Sequence, residues 1–223
     1  MIEVRHINMA DFMFKKQYAT YYDLFNSEKP YRRETQFVHN WAGKPNTIFD
    51  IGCGTACYWQ YYPVGTCLMG VDKSEHMILN TKNVICEDIT KYKHKLKPFD
   101  CATAIFDVIN YIPKHTWWKN IPIEKGGYFI FDVWDRDKVD NDGFQLSIKI
   151  KNGITRTISA IQYDKGSVDL RVEVSCGSWS FFEDHKMYIH SHKDIKKFCG
   201  KKFDIVDIKE TTKWQKWYKI RKK

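Results

Sequence analysis

The chain has 223 residues, of which 43% are hydrophobic, 16% aromatic and 28% charged. That composition is globular and excludes a disordered or fibrous chain, and no run approaches the roughly eighteen apolar residues of a membrane span. A formal charge of +9 favours an acidic partner, yet 29 lysines against 7 arginines and 23 isoleucines against 6 leucines fit coding bias as well as a nucleic-acid reader, which leans on arginine.

Met1-Ile2-Glu3-Val4-Arg5-His6 has no apolar signal-peptide core, so a cytoplasmic location is expected. Residues 9–42 read as helical: Phe12, Phe14, Tyr18, Tyr21, Tyr22 and Phe25 recur at helical spacing, Asn26 to Pro30 interrupts, and a second helix runs from about Arg32 to Trp41. Residues 47–132 then carry five short, continuous apolar runs, at 47–51, 67–72, 83–86, 101–106 and 128–132. Continuous rather than alternating runs belong to strands buried on both faces, hence to a parallel sheet covered by helices.

From about residue 144 the texture changes to period-two alternation over 144–150, 155–161 and 168–174, with turn signals between, which predicts antiparallel hairpin strands. A short helix over 191–199, with Ser191 as N-cap and Gly200 as stop, precedes two final strands at 203–208 and 213–220. The expected fold is α/β: a doubly wound, mostly parallel, seven-stranded Rossmann-like sheet with an N-terminal helical lid and an antiparallel hairpin insertion after the fifth strand. One domain accounts for residues 1–223, divided as lid 1–45, core 46–132, insertion 140–190 and closing helix and strands 191–223.

The seven cysteines are odd in number and include no Cys-x-x-Cys, so reduced thiols are expected. Cys53 and Cys57 have no second Cys/His pair at zinc spacing, and no metal site is expected.

The chemistry concentrates in Asp50-Ile51-Gly52-Cys53-Gly54-Thr55, where a buried strand runs into a glycine turn from which a helix is expected to follow. Glycines there let a ligand approach the backbone. Cys57 stands where a dinucleotide fingerprint places its third glycine, so a pyrophosphate is poorly matched, and no P-loop occurs. Asp50 at the strand tip can accept bonds from a ligand ammonium or a bound water. Asp72 ends the next strand, twenty residues past Gly52, where a carboxylate takes both ribose hydroxyls. A nucleoside with a cationic, amino-acid-like tail suits this pattern.

These residues resemble the class I S-adenosylmethionine-dependent methyltransferases. Asp50 to Thr55 is similar to the first motif of that family, Gly70 to Met77 to the second, Cys86 to Ile89 to the third, Phe99 to Phe106 to the fourth and Gly126 to Asp132 to the fifth. The resemblance covers residues 18–221 and implies S-adenosyl-L-methionine as cofactor, contacted by Asp50, Gly52, Gly54, Asp72, Lys73, Met77, Asp88, Ile89 and Ile105, with Tyr22 and Arg33 closing over the methionyl end. Tyr21 to Phe25, Glu28 to Tyr31 and Glu34, with Phe182 to His185, look finer still like the glycine N-methyltransferase-like and aminosugar N,N-dimethyltransferase group. In that group the N-terminal helices and the insertion roof the acceptor pocket. The chain departs where the group carries an acceptor-side histidine, having Phe106 to Tyr111 instead, and Pro63 shortens the helix after the first motif.

Methyl transfer from a sulfonium has a good, neutral leaving group, so positioning and water exclusion dominate; a hydroxyl acceptor also needs a base. Asp107, Asn110 and Tyr111 follow the fourth strand, where such sheets place ligands, and Asp107 or Tyr111 is expected to touch the acceptor, against a helix cap and a core tyrosine as the plain alternatives. Asp132, Trp134 and Trp179 are further acceptor-side candidates, and His185 is a candidate base. The expected acceptor is a sugar or nucleotide-sugar hydroxyl or amine, possible phosphate groups being served by the surplus of lysine. RNA, protein or small-amine methylation is the alternative, and a non-catalytic scaffold the third reading. No Asn/Asp-Pro-Pro-Tyr/Phe tetrad or RNA module is present, so nucleic acid is not expected as a partner, nor is a membrane; the chain is read as a monomer or homodimer.

Overall fold

The computed structural model describes residues 13–93, 96–113, 116–142, 147–164, 166–211 and 214–223. In chain order, α1 (Lys16–Asn26) and α2 (Tyr31–Trp41) precede β1 (Thr47–Ile51), β2 (Cys67–Asp72), β3 (Val84–Cys86), β4 (Phe99–Ala104) and β5 (Ile123–Trp134). Then follow α3 (Arg136–Asp142), β6 (Ser147–Lys151), β7 (Ile154–Asp164), β8 (Ser167–Cys176), β9 (Trp179–Tyr188), α4 (His192–Cys199), β10 (Phe203–Glu210) and β11 (Gln215–Lys222).

The five apolar runs form parallel neighbours in a seven-stranded sheet of order β10-β11-β5-β4-β1-β2-β3, in which β11 runs antiparallel to both of its neighbours, β5 and β10. Both faces are covered, which is why the runs are continuous rather than alternating. Phe49, Ile51, Phe129 and Phe131 pack on one face with Trp117, Trp118 and Ile195 of α4. Their chain neighbours Ile48 and Ile130 pack on the other, with Trp217, Tyr58 and Val38 of α2.

The crossovers differ from expectation. Among the described residues no α-helix joins β1 to β2 or β4 to β5; 3-10 turns at Trp59–Tyr61, Val108–Tyr111 and Thr116–Asn120 stand there instead. The helix expected after the glycine turn is reduced to one of these turns. Ala56 takes a positive φ of 56° ahead of the turn Trp59–Tyr61, and Pro63, which lacks an N–H, stands two residues beyond it. The aromatic rings of these connections do the covering that helices would do.

The lid helix also starts later than its periodicity predicts. Phe14 has φ 60°, a left-handed conformation that no helix passes through, so α1 opens only at Lys16; residues 9–12 lie outside the described residues. The insertion is a four-stranded antiparallel sheet of order β6-β7-β8-β9. The alternation predicts β6 to β8, and β9 completes the sheet along the whole of β8. Tyr18 and Phe25 of α1 pack on Val172 and Val174, so the lid lies across one face of this second sheet. The closing helix α4 begins as expected at Ser191, whose hydroxyl accepts the N–H of Asp194 while that carboxylate accepts the N–H of Ser191. No helix among the described residues is long and apolar enough to cross a membrane.

Candidate active site

β1 ends at Ile51 and the chain turns sharply through Gly52 (φ 66°) and Gly54 (φ 51°). A Cβ at Gly52 would lie 2.6 Å from Val108 Cγ1, so this turn requires glycine for both conformation and space. The turn aims the Gly54 N–H at Asp72, whose Oδ2 accepts it at 2.9 Å while Oδ1 accepts the Ser74 N–H at 2.8 Å. The carboxylate at the tip of β2 is thereby held on two backbone donors, and each oxygen keeps a lone pair for a ligand. Burial pushes its pKa up against the two N–H bonds, which hold it down.

This turn is one wall of a cavity of about 510 Å³ at the C-terminal ends of β1, β2 and β4. Gly52, Gly54, Asp72, Met77, Ile89 and Ile105 line it, as do Lys73, Asp88 and Asp50. Asp88 uses Oδ1 to accept the Thr90 N–H (2.8 Å) and hydroxyl (2.7 Å), so it caps its own loop while facing the cavity. Asp50 has a structural duty that the strand-tip reading did not include. Its Oδ2 accepts from Trp59 Nε1 and its Oδ1 from Thr103 Oγ1, both at 2.7 Å, and burial pushes its pKa up to about 6.

A second cavity, of about 360 Å³, lies between the lid, the insertion sheet and the loop after β4. Four aromatic residues, Phe14, Tyr22, Phe106 and Tyr111, line both cavities and so form the partition between them. Behind that partition runs a polar chain. Tyr111 OH lies 3.1 Å from His185 Nδ1, and His185 Nε2 lies 3.3 Å from Glu183 Oε2. With Glu183 accepting the Nε2 proton, Nδ1 is the free acceptor for the tyrosine hydroxyl. Glu183 also accepts the backbone N–H groups of Phe14 (2.9 Å) and Lys15 (2.8 Å), and Ser74 Oγ donates to the Phe14 carbonyl at 2.8 Å. Phe14 is thus clamped between the insertion and the loop after β2.

Glu183 and Lys29 were not among the expected site residues. Glu183 sits two residues before His185 on β9, a spacing that puts both on one face of the sheet. Lys29 Nζ lies over the Phe106 ring and donates to Tyr58 OH at 2.9 Å, which donates in turn to Glu34 Oε2 at 2.6 Å. Burial holds the Lys29 ammonium below its usual range. Lys29 falls within the Glu28 to Tyr31 stretch, but no role was expected of it, because only the fold brings its ammonium over Phe106.

Asp107 lines the second cavity with φ 64°, and burial together with Asp132 pushes its pKa well up. Asp132 is fully buried, accepts the N–H groups of Phe106 and Asp107 and lines neither cavity; it shapes the loop. Asn110 likewise braces β5 and β9, donating to the Tyr188 carbonyl and accepting the Trp134 N–H. Trp134 lines the second cavity. Arg33 points to solvent on α2, away from both cavities, because Tyr31 and Thr35 take the inward face of that helix. Trp179 is also outside them, half-exposed and stacked on Tyr21 and Phe181.

No protein-family model matches the chain, and no curated protein matches it in sequence. Solved structures do match. An S-adenosylmethionine-dependent methyltransferase from Clostridium acetobutylicum superposes with a TM-score of 0.74 at 19% identity, over 92% of this chain and 97% of that one. The sugar N-methyltransferase KedS8 from Streptoalloteichus gives 0.73 at 13% identity, over all of both chains. CalS10, an amino pentose methyltransferase of calicheamicin biosynthesis from Micromonospora echinaspora, gives 0.71 at 12% identity, over 97% and 100%. The fold is that of these methyltransferases. Within the methyltransferase fold, the four-stranded insertion sheet and the two N-terminal helices of this chain enclose its second cavity.

Proposed function

We propose that the chain is an S-adenosylmethionine-dependent methyltransferase acting on a small polar acceptor, with a sugar or nucleotide-sugar hydroxyl or amine as the favoured class. The observation that carries this reading is the pair of cavities meeting at one aromatic partition. One has the glycine turn and the braced Asp72 suited to a nucleoside; the other has a volume suited to a small molecule. The likeness to sugar methyltransferases supports the acceptor class.

The residues fit the cofactor. Asp72 keeps lone pairs for the ribose hydroxyls, Ile89 and Met77 offer apolar faces to the base, and Gly52 and Gly54 leave the backbone open beside it. When bound, S-adenosylmethionine supplies an electrophilic methyl group on a sulfonium. The residues of the chain then have two tasks. Phe14, Tyr22 and Phe106 position the two ligands and exclude water. The Tyr111–His185–Glu183 chain receives a proton: as Tyr111 Oη takes the acceptor's proton, its own passes to His185 Nδ1, and Glu183 balances the imidazolium at Nε2. Such a relay suits a hydroxyl or an ammonium, both of which must lose a proton. In this reading residues 1–223 work as one cytoplasmic domain, with 1–45 and 140–190 building the acceptor side around core 46–132.

The test is cofactor binding followed by transfer. Millimolar S-adenosylmethionine is expected to raise the melting temperature of the full chain, and Asp72→Ala to abolish the shift. Labelled cofactor is then offered with sugars, nucleotide sugars, small amines and RNA. No thermal shift would sink the methyltransferase reading, and label in RNA alone would replace the acceptor class.

A further inference from the structure

We infer that the second cavity holds its acceptor by an anionic group, a carboxylate or a phosphate, seated on Arg156 with Lys149 beside it. The inference rests on the proposed reading that this cavity is the acceptor side, and it deepens that reading by naming the charge of the acceptor.

Arg156 lies on β7, lines the cavity and is only 6% exposed. Its guanidinium carries five N–H donors and stays charged at any physiological pH. Among the described residues no carboxylate lies within ion-pair distance of it. Nη1 reaches Tyr18 OH at a long 3.4 Å, Nε has no hydrogen-bond partner, and the Phe25 ring lies 5.2 Å from the guanidinium carbon. Buried arginines are ordinarily paired, since an uncompensated buried charge is strongly unfavourable.

A second cation is placed directly across from it. Lys149 on β6 is the register partner of Arg156, and like charges in that relation repel. The Lys149 ammonium is depressed by burial and by Arg156, and its one described hydrogen bond is 3.4 Å long, to the Phe25 carbonyl. Lys151, two residues on, shows the contrast: it pairs with Glu28. Lys29 adds a third cation to the lining, but it is bonded to Tyr58 and paired with Glu34 at 3.9 Å, so the anion seat rests on Arg156 and Lys149. Asp107 is the one carboxyl among the described lining residues, and it is turned to Asp132. Arg156 and Lys149 therefore stand together in the cavity with no ion-pair partner among the described residues, and Arg156 offers a guanidinium fork of the shape that takes carboxylate or phosphate oxygens in pairs. An acceptor whose anion sits here projects its reacting group toward Tyr111, which lines the same cavity at the partition.

The experiment uses the full chain saturated with S-adenosylhomocysteine, and titrates matched pairs by calorimetry: glucosamine 6-phosphate against glucosamine, glycine against glycinamide, with inorganic phosphate and acetate as the bare anions. Phosphate and carboxylate members report the two sources separately. The anionic member of at least one pair is expected to bind roughly tenfold or more tightly than its neutral twin. Arg156→Gln is expected to erase that preference with S-adenosylhomocysteine affinity unchanged. Should Arg156→Gln fail to fold, Arg156→Lys and Lys149→Gln serve in its place, the first weakening and the second reducing the preference. Equal binding of charged and neutral twins, no binding of any anion at tens of millimolar, or a preference that survives these substitutions overturns the inference. S-adenosylhomocysteine binding is read separately, so loss of the cofactor reading and loss of the anion seat are distinguishable.

Discussion

Glu183 Oε2 accepts the backbone N–H of Phe14 at 2.9 Å, across 169 residues of sequence. The same oxygen is the one that faces His185. A single buried carboxylate thus fixes the segment that roofs both cavities and orients the imidazole behind their partition, so lid position and proton acceptance are tied together.

Replacing Glu183 by glutamine is expected to separate these roles only in part. The amide cannot accept all three bonds and brings a donor toward two N–H groups. A loss of about 1–3 kcal/mol in unfolding free energy is expected, read by urea denaturation. Limited proteolysis ahead of Lys16 is expected to accelerate, and unchanged cleavage there would argue against the clamp.

His185→Ala is expected to lower kcat roughly 100-fold or more with a hydroxyl or ammonium acceptor, with KM for S-adenosylmethionine little changed. Tyr111→Phe keeps the aromatic partition and removes the hydroxyl, so the same direction and a smaller effect are expected. Steady-state kinetics at saturating cofactor decides it. Full activity in both variants would leave the relay without a function.

Why the sheet was legible and the acceptor side less so follows from how each is written in the chain. Ile48-Phe49, Cys101-Ala102 and Phe129-Ile130-Phe131 are local patterns, and strands buried on both faces leave that imprint wherever they occur. Gly52, Gly54 and Asp72 are readable because the turn and the strand tip set their spacing. Lys29 and Arg156 come from a loop after α1 and a strand of the insertion, and only tertiary packing brings them to one cavity, as it brings Glu183 against the backbone of Phe14. The missing crossover helices were unreadable for a related reason: Trp59, Trp117 and Trp118 fill the space that helices would fill, and helix propensity says nothing of that. Arg33 faces solvent because it stands two residues from both Tyr31 and Thr35, roughly half a turn round α2 from the inward face.

His190 gives stability a pH dependence of known sign. Burial lowers its pKa from 6.5 to about 4, so as pH falls the unfolded chain takes up a proton before the native state does. Its contribution is complete above about pH 6.5 and drains away toward pH 4, roughly 3 kcal/mol in all. Asp50 runs the other way: pushed up to about 6, it keeps a proton in the native state that the unfolded chain has lost. His190→Gln retains a donor toward the Ile109 carbonyl and removes the titration. Urea midpoints at pH 7.5, 6 and 4.5 are expected to show the variant gaining on the parent as pH falls. A constant difference would show that the histidine does not titrate in this way.

At the glycine turn, conformation and space are separable. Gly52→Ala forces a side chain into φ 66° and sets its Cβ 2.6 Å from Val108 Cγ1. The first effect costs about 1 kcal/mol and the second about 1–3 kcal/mol. Val108→Ala removes the atoms that are struck and leaves the backbone strain in place. A double-mutant cycle is therefore expected to return the steric part and to keep the conformational part, with a favourable coupling of about 1 kcal/mol or more. Cofactor affinity follows a different course. The turn aims the Gly54 N–H at Asp72, so strain at Gly52 is expected to weaken S-adenosylhomocysteine binding in the single variant and in the double one alike. Additive stabilities would show that Val108 yields freely, and full cofactor affinity in Gly52→Ala would show that the turn tolerates a side chain without disturbing the carboxylate it braces.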